Sequence, residues 1–443
     1  MNFMRLIDRL PFMRGRFDDH MKEVVAGSVV GFFWRVAGAA LQFFCNVFIA
    51  RLLGVSHMGA YMLAFTIAVV ASTVGRLGLD QSMLRFIAVY AGRKEWDKLK
   101  GVYTRGMLLT LAVSAFITLL LLLASPWLSI TIFKQKELTI PMMLMSLSIV
   151  PSALSNVISG SLQALKRIQN STLVQVVLSP AVNIVLLWLF VSAGYGVAGA
   201  VVAYVVSAVL VFLAGALLWR LAVPELKTAP SSGAITTSAL MKVSMPLAWT
   251  SVMIIFMGMA GTLILGALRT PAEVGVYSAA LRLSLVPNYI LIAVAAISAP
   301  KFAALYDSGD VATIERISKH SIRLMLLFSA PILIMSVFAP GIMMRLYGSG
   351  FSAGASSLVI LSLGQALFIA IGLAGQLLIM TGKEVAVRNI TFMAAFLNIV
   401  LCFVLIPSFG VNGAAIAHII SYTFTAIASQ YVVGKHLKIL LHP

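Results

Sequence analysis

The sequence predicts an all-α integral membrane protein, with twelve transmembrane helices in two parallel six-helix repeats around a central cavity. Three observations predict it. Hydrophobic residues make up 60% of the 443 positions and charged residues 10%, with a mean hydropathy of +1.01, so no polar stretch is long enough to fold as a soluble domain. Twelve apolar segments of about bilayer-spanning length can be drawn: 24–50, 58–90, 104–124, 138–165, 171–192, 197–219, 239–267, 273–304, 320–340, 354–380, 386–406 and 411–433. The stretch NIVLLWLFVSAGYGVAGAVVA, from Asn183, returns as NIVLCFVLIPSFGVNGAAIA, from Asn398.

Taken in order, residues 1–23 form a basic, mildly amphipathic arm. It lacks the short apolar core and small-residue cleavage site of a signal peptide and is expected at the cytoplasmic interface. The first lobe covers residues 24–222 and the second 239–436. Between them the segment 223–238, with its TAPSSGAITTS run, is a cytoplasmic linker, and 437–443 is a cytoplasmic tail. With the N-terminus inside, 23 Lys and Arg fall on the cytoplasmic side; only Arg51, Lys134, Lys136, Arg269 and Arg345 fall outside. The positive-inside rule therefore puts both termini in the cytoplasm. Most of the net charge of +18 is then topology, which removes the case for nucleic acid as a partner.

In the first segment Ser28, Gly31, Arg35, Gln42 and Asn46 share one helical stripe. Such a polar seam is expected to face protein or water, with Arg35 either facing a cavity or paired to Asp80 as structural glue. The second segment carries Arg76 roughly 25 Å along its length. Arg76 and Asp80 stand four apart and can pair on one helix face, while Arg85, beside Phe86 and Tyr90, reaches for the headgroups. The loop from Arg93 to Arg105 reads as a cytoplasmic anchor.

An offset of 214 to 216 also pairs Trp34 with Trp249, Gly59 with Gly275, Tyr61 with Tyr277, Ser82 with Ser298, Phe86 with Phe302 and Gly160 with Gly375. Six spans per half make the repeats parallel, with a substrate path between them. Features that recur, such as the Asn before the last hairpin of each half and the glycine pairs Gly196/Gly199 and Gly410/Gly413, are expected to serve packing and turns. The charges do not recur: Arg35 corresponds to Thr250, Arg76 to Ile292, Asp80 to Ala296 and Arg282 to Thr66. Single-copy charges are better explained by a ligand.

Pro246 and Pro287 interrupt the seventh and eighth segments, where a static bend or a broken helix would result. Arg282 lies about 13 Å into the eighth segment, with Ser278 and Tyr289 on its face. Later segments hold Gln365, Gln376 and His418; the histidine can titrate or settle into an interhelical hydrogen bond. Cys45 and Cys402 lie in apolar segments and suggest neither a disulfide nor a metal site. The glycines of GSGFSAG have no strand before them, and no Walker motif, zinc spacing or nucleophile elbow is present, so no cofactor is expected. Arg35, Arg76 and Arg282 facing one cavity, against the single carboxylate of Asp80, would make an electropositive interior suited to phosphate or pyrophosphate. Gln42, Asn46 and Tyr289 would hydrogen-bond sugar hydroxyls, and Asp80 or His418 would be the candidates for ion coupling.

The stretch ARLLGVSHMGAYMLAFTIAVVASTVGRLGLDQSMLRF, the GSLQALKR and GQLLIMTGKE ends and both Asn…Gly-x-x-Gly-Ala hairpins resemble the polysaccharide transporter family, which includes the O-antigen flippases. That family belongs to the multidrug/oligosaccharidyl-lipid/polysaccharide flippase superfamily. The resemblance implies two six-helix lobes in a bacterial inner membrane. Its substrate would be an undecaprenyl-pyrophosphate-linked oligosaccharide, moved to the outer leaflet by alternating access for O-antigen, capsule or exopolysaccharide synthesis. Polymerase and assembly proteins would be partners beside membrane lipid. Arg35, Arg76 and Arg282 are similar in position to cavity arginines of the lipid II flippases, which carry two further helices. In this picture Arg35 and Arg282 clamp the pyrophosphate and Arg76 attracts it. Three other functions compete: a non-transporting scaffold, which would not explain the polar face of the first helix; a multidrug or organic cation antiporter on the same fold, which the shortage of membrane carboxylates opposes; and a membrane polysaccharide polymerase or glycosyltransferase. The last would show a large outer loop or an acidic sugar-nucleotide motif.

Overall fold

A computed structural model describes residues 19–227, 236–371 and 373–439. Residues 1–18 of the arm, 228–235 of the linker and the last four residues lie outside it, as does the side chain of Ser28. The described residues are helical almost throughout, as an apolar chain must be where no water is present to satisfy the backbone. In order the helices are α1 (Asp19–Gly75), α2 (Leu79–Gly92), α3 (Trp96–Trp127), α4 (Thr139–Ser146), α5 (Ile149–Ala164), α6 (Ile168–Ser192) and α7 (Gly196–Ala222). After the linker come α8 (Thr237–Leu268), α9 (Pro271–Ser284), α10 (Asn288–Asp307), α11 (Val311–Phe338), α12 (Pro340–Arg345), α13 (Ala355–Ile371), α14 (Leu373–Met380) and α15 (Glu384–Leu437).

Among the described residues 8 helical runs are long and apolar enough to cross a membrane, or 9 if the bent pair Lys136–Ser146 and Ile149–Ala164 counts as one span. The protein is therefore a multi-pass membrane protein. The number is smaller than the twelve apolar segments of the sequence for two structural reasons. In α1 and α15 two helices follow one another across a single glycine, Gly54 (φ 73°) and Gly410 (φ 53°). The second and eighth segments, conversely, are each divided by a turn.

The first of those turns corrects the continuous second span. The helix stops at Gly75 and resumes at Leu79, with Leu77 (φ 51°) and Gly78 (φ 68°) in the left-handed region. Gly78 is required: a Cβ there would lie 2.6 Å from the Ser244 carbonyl oxygen and closer still to the Ala248 amide nitrogen, so the chain bends where α8 crosses it. The eighth segment breaks at residues 285–287, beside Pro287, whereas α8 passes through Pro246 without interruption. Start signals are local. Thr270 is followed by Pro271 and Glu273, and its hydroxyl accepts the Glu273 N–H at 3.3 Å; Asp310 accepts the Thr313 N–H at 3.0 Å.

Packing divides along the bundle. One large core joins the two halves, with Met58, Tyr61 and Leu63 against Leu265, Tyr277, Tyr347 and Leu358. Among the described residues three smaller cores each stay within a half apart from Leu240 of α8: Leu79, Met83, Leu99 and Trp219 belong to one, Phe302, Ile314, Met325 and Leu373 to a second, and Met257, Ala394 and Ala395 to a third. The halves are thus joined mainly toward the end that carries Gly54. There Gly59 and Gly275, which the sequence pairs, meet each other. A Cβ on Gly59 would collide with the Pro271 carbonyl oxygen and stand 3.0 Å from the Gly275 nitrogen; one on Gly275 would collide with the Val55 carbonyl oxygen. Arg51 ties the same end by donating from Nε to the Leu346 carbonyl at 2.8 Å. Toward the other end the Ser82 and Ser244 hydroxyls hydrogen-bond across the halves at 2.7 Å.

Most other buried hydroxyls turn back on their own helix. Ser114, Ser155, Ser161 and Ser421 each donate to the carbonyl four residues earlier, at 2.6 to 2.8 Å, which satisfies them without a partner helix.

Candidate functional site

The polar seam of the first helix leads to a cavity of about 240 Å³. Ala39, Gln42, Asn46 and Ile49 come from α1, spaced as one helical stripe. Tyr61, Met62 and Phe65 face them from beyond the Gly54 break. Gln175, Ser179 and Asn183 come from α6, Tyr204 from α7, and Arg282 and Tyr289 from either side of the 285–287 turn. Arg282 is in the last turn of α9, where the free carbonyls of a helix C-terminus favour a cation.

Arg282 crosses between the halves. Its Nη2 lies 3.3 Å from the Met62 sulfur and its guanidinium 5.5 Å from the centre of the Phe65 ring. Sulfur is a weak acceptor and a ring face a weak counterion. No Asp or Glu lines the cavity. A half-buried arginine with five donors is therefore held among amides, phenols and hydroxyls with no carboxylate partner among the described residues. Asn46 is 4% exposed and donates to the Gln42 carbonyl at 2.7 Å, which fixes its amide on the wall. A second cavity of about 120 Å³ shares Gln175, Ser179 and Tyr204 and continues to Ser152, Ser155 and Asn156.

Of the residues marked from the sequence, the structure brings Gln42, Asn46, Arg282 and Tyr289 together. Arg35 is one turn below Ala39 on the same stripe, with an exposed side chain, and does not line the cavity. Arg76 lies in the turn after Gly75, not within a helix, and its Nε is 3.7 Å from Asp80 Oδ2. Thus the three arginines do not surround one space in this conformation, and Asp80 is joined to Arg76 and not to Arg35. His418 is 7% exposed, stacked on Tyr422 with ring centres 4.2 Å apart, and is not on the cavity wall.

The Arg76–Asp80 pair is 15% and 12% exposed, and Arg76 Nε and Asp80 Oδ1 have no hydrogen-bond partner. Removing one member leaves a buried charge uncompensated, which costs about 3 kcal/mol. Asp80→Asn is expected to lower the melting temperature in detergent, and Arg76→Met with Asp80→Leu to recover most of it. A double variant that melts no higher than Asp80→Asn would show that the pair is not the cause.

Sequence reasoning missed Gln175, Ser179 and Tyr204 and assigned Asn183 to packing. Its repeat counterpart Asn398 does pack, donating to the Ala417 carbonyl at 3.2 Å. Asn183 lines the cavity instead, 4% exposed with Oδ1 unpartnered. The signal was present, because Gln175, Ser179 and Asn183 are four apart. The local structure obscures it: Leu173–Val177 is a π turn, a one-residue insertion that shifts the helical face.

Residues 24–306 match the family described as polysaccharide biosynthesis protein. Stage V sporulation protein B of Bacillus subtilis is 25% identical over 433 residues, covering 90% of this chain and 81% of that one. Among solved structures, an inward-facing multidrug resistance MATE family transporter superposes with a TM-score of 0.76 at 16% identity, covering 93% of this chain and 98% of the other. The lipid II flippase MurJ in an inward closed conformation gives 0.71 at 16% identity, covering 92% and 87%. The fold is thus common to drug exporters and a lipid flippase, and its cavity must separate the two.

Proposed function

The chain belongs to the polysaccharide biosynthesis protein family, and from that premise we propose that it is a flippase for an oligosaccharide linked through pyrophosphate to a polyprenyl lipid. The observation that carries this reading is Arg282, a half-buried cation shared between the two halves in a cavity without carboxylates. An exporter of organic cations needs the opposite sign. A pyrophosphate offers the paired acceptors that a guanidinium fork matches, and Gln42, Asn46, Gln175 and Asn183 supply amides for the sugar nearest to it.

At about 240 Å³ the cavity is smaller than the roughly 300 Å³ at which drug-sized pockets begin. It takes the pyrophosphate and not the whole glycan, which has to enter as the halves part. The halves are twelve spans in two parallel repeats, with Gly59 and Gly275 meeting where a pseudo-twofold axis would pass. With both termini in the cytoplasm of a bacterial inner membrane, the joined Gly54 end faces outward and this conformation accepts substrate from the inside. Arg35, on the same stripe below the cavity, meets the pyrophosphate first, and Arg282 receives it.

The test is transport by the purified chain in proteoliposomes, with a labelled undecaprenyl-pyrophosphate oligosaccharide beside a fluorescent organic cation. The glycolipid alone is expected to change leaflet. Movement of the cation without the glycolipid would assign the chain to the drug exporters.

A further inference from the structure

A concavity larger than the polar cavity lies elsewhere in the bundle. A groove of about 720 Å³ lies on the flank of the first half, between α3 and α7, with Leu154 of α5 at its base. It shares no lining residue with either polar cavity. Its contents are sorted by position. Lys100 and Arg220 stand toward one end, in the opening turns of α3 and the last turn of α7, with Val223 and Leu226 following Arg220 on the wall. Next come Tyr103 and Thr104. Tyr103 stacks on Trp219 with ring centres 4.3 Å apart and planes 17° from parallel, and Trp219 is 4% exposed. Beyond them the lining is aliphatic and aromatic only, ending at Leu111 and Phe212. At 1.5 Å per residue the run from Lys100 to Leu111 is about 16 Å, and that from Arg220 back to Phe212 about 12 Å.

Cations at a cytoplasmic helix end are ordinary topology, but a helix pair that merely faces lipid needs no furrow with two of those cations on its wall. We propose that the groove binds one anionic phospholipid. The phosphate sits against Arg220 and Lys100, the glycerol esters meet the Thr104 hydroxyl and the Tyr103–Trp219 stack, and one acyl chain lies along Met107, Leu108 and Phe212. Each part follows from ordinary chemistry: cations for a phosphate, amphipathic rings at headgroup depth, and apolar side chains for methylenes. The occupant is a phospholipid and not the transported lipid, because the groove has no opening onto the Arg282 cavity through a shared residue. It would hold α3, α5 and α7 as a unit while the two halves move.

Trp219 reports on the site. The full chain is reconstituted with phosphatidylglycerol or phosphatidylcholine brominated on its acyl chains, at equal mole fraction in an unbrominated background, and the Trp219 signal is taken as the difference from Trp219→Phe. Brominated phosphatidylglycerol is expected to quench that signal several-fold more than brominated phosphatidylcholine. The preference should shrink as ionic strength rises in the unaltered protein, and it should vanish in Arg220→Gln with Lys100→Gln. Equal quenching by the two lipids would overturn the proposal and leave a furrow filled by any neighbour. So would a preference that survives both high salt and the double substitution, or displacement of the brominated phosphatidylglycerol by a stoichiometric amount of undecaprenyl phosphate. Because the salt series needs no substitution, it decides the matter even where the double variant does not fold.

Discussion

Arg282→Ala is expected to reduce glycolipid transport on the order of 100-fold while leaving the protein as stable as before, or more so. The two halves of that result have different causes. Losing one partner of a desolvated charge pair costs roughly 2 to 5 kcal/mol of binding, and each 1.4 kcal/mol is about tenfold. Stability responds in the other direction, because among the described residues the guanidinium is held by the Met62 sulfur and the Phe65 ring and by no carboxylate, and an unpaired charge within a bundle is expensive. Arg282→Lys keeps the charge and loses the fork, so it should retain partial activity, down about tenfold. The measurement is leaflet exchange of the labelled glycolipid, with a melting curve of each variant in the same detergent. A variant that transports normally, or one that loses transport only by melting lower, would make Arg282 a scaffold residue.

Gly59→Ala is expected to be among the most damaging single-methyl changes in the chain. The added carbon meets the backbone of α9 at the Pro271 carbonyl and the Gly275 amide, and backbone cannot rotate out of the way as a side chain can. Overpacking of this kind costs about 3 kcal/mol, and Gly275→Ala should match it from the other side. Gly92→Ala is the control, since nothing lies within 4 Å of that position. Thermal melting separates the three. Should Gly59→Ala melt with the control, the close approach of α1 and α9 would not hold the halves together.

Much of this was legible in the sequence, for identifiable reasons. Hydropathy marks the membrane segments because lipid leaves the backbone few options. The recurring glycines announced their own roles: Gly196 and Gly410 have φ near 51° and 53° at equivalent turns, and Gly199 and Gly413 leave no room for a Cβ. Arg282 could be chosen because a charge in an apolar helix without a repeat counterpart stands out. The break at Arg76 could not be read, because it is imposed by α8, which crosses at Gly78 from some 170 positions away in the chain. The same tertiary constraint takes Arg76 away from the cavity. Asn183 was misassigned for a related reason. The repeat implies one role for its two copies, yet Asn398 donates to a carbonyl across its hairpin and Asn183 stands on the cavity wall beside Tyr61.

The self-satisfied hydroxyls bear on how such a bundle can move. Ser114, Ser161 and Ser421 are small, buried and already bonded within their own helices. When neighbouring helices slide, no interhelical bond at these positions has to be broken and re-formed, and no donor is stranded part-way. Friction between the sliding surfaces is then set by shape alone. A bundle packed this way has many nearly isoenergetic registers open to it, and its resting conformation is chosen by the places where the chain does bond across, such as Ser82 to Ser244 and Arg51 to Leu346.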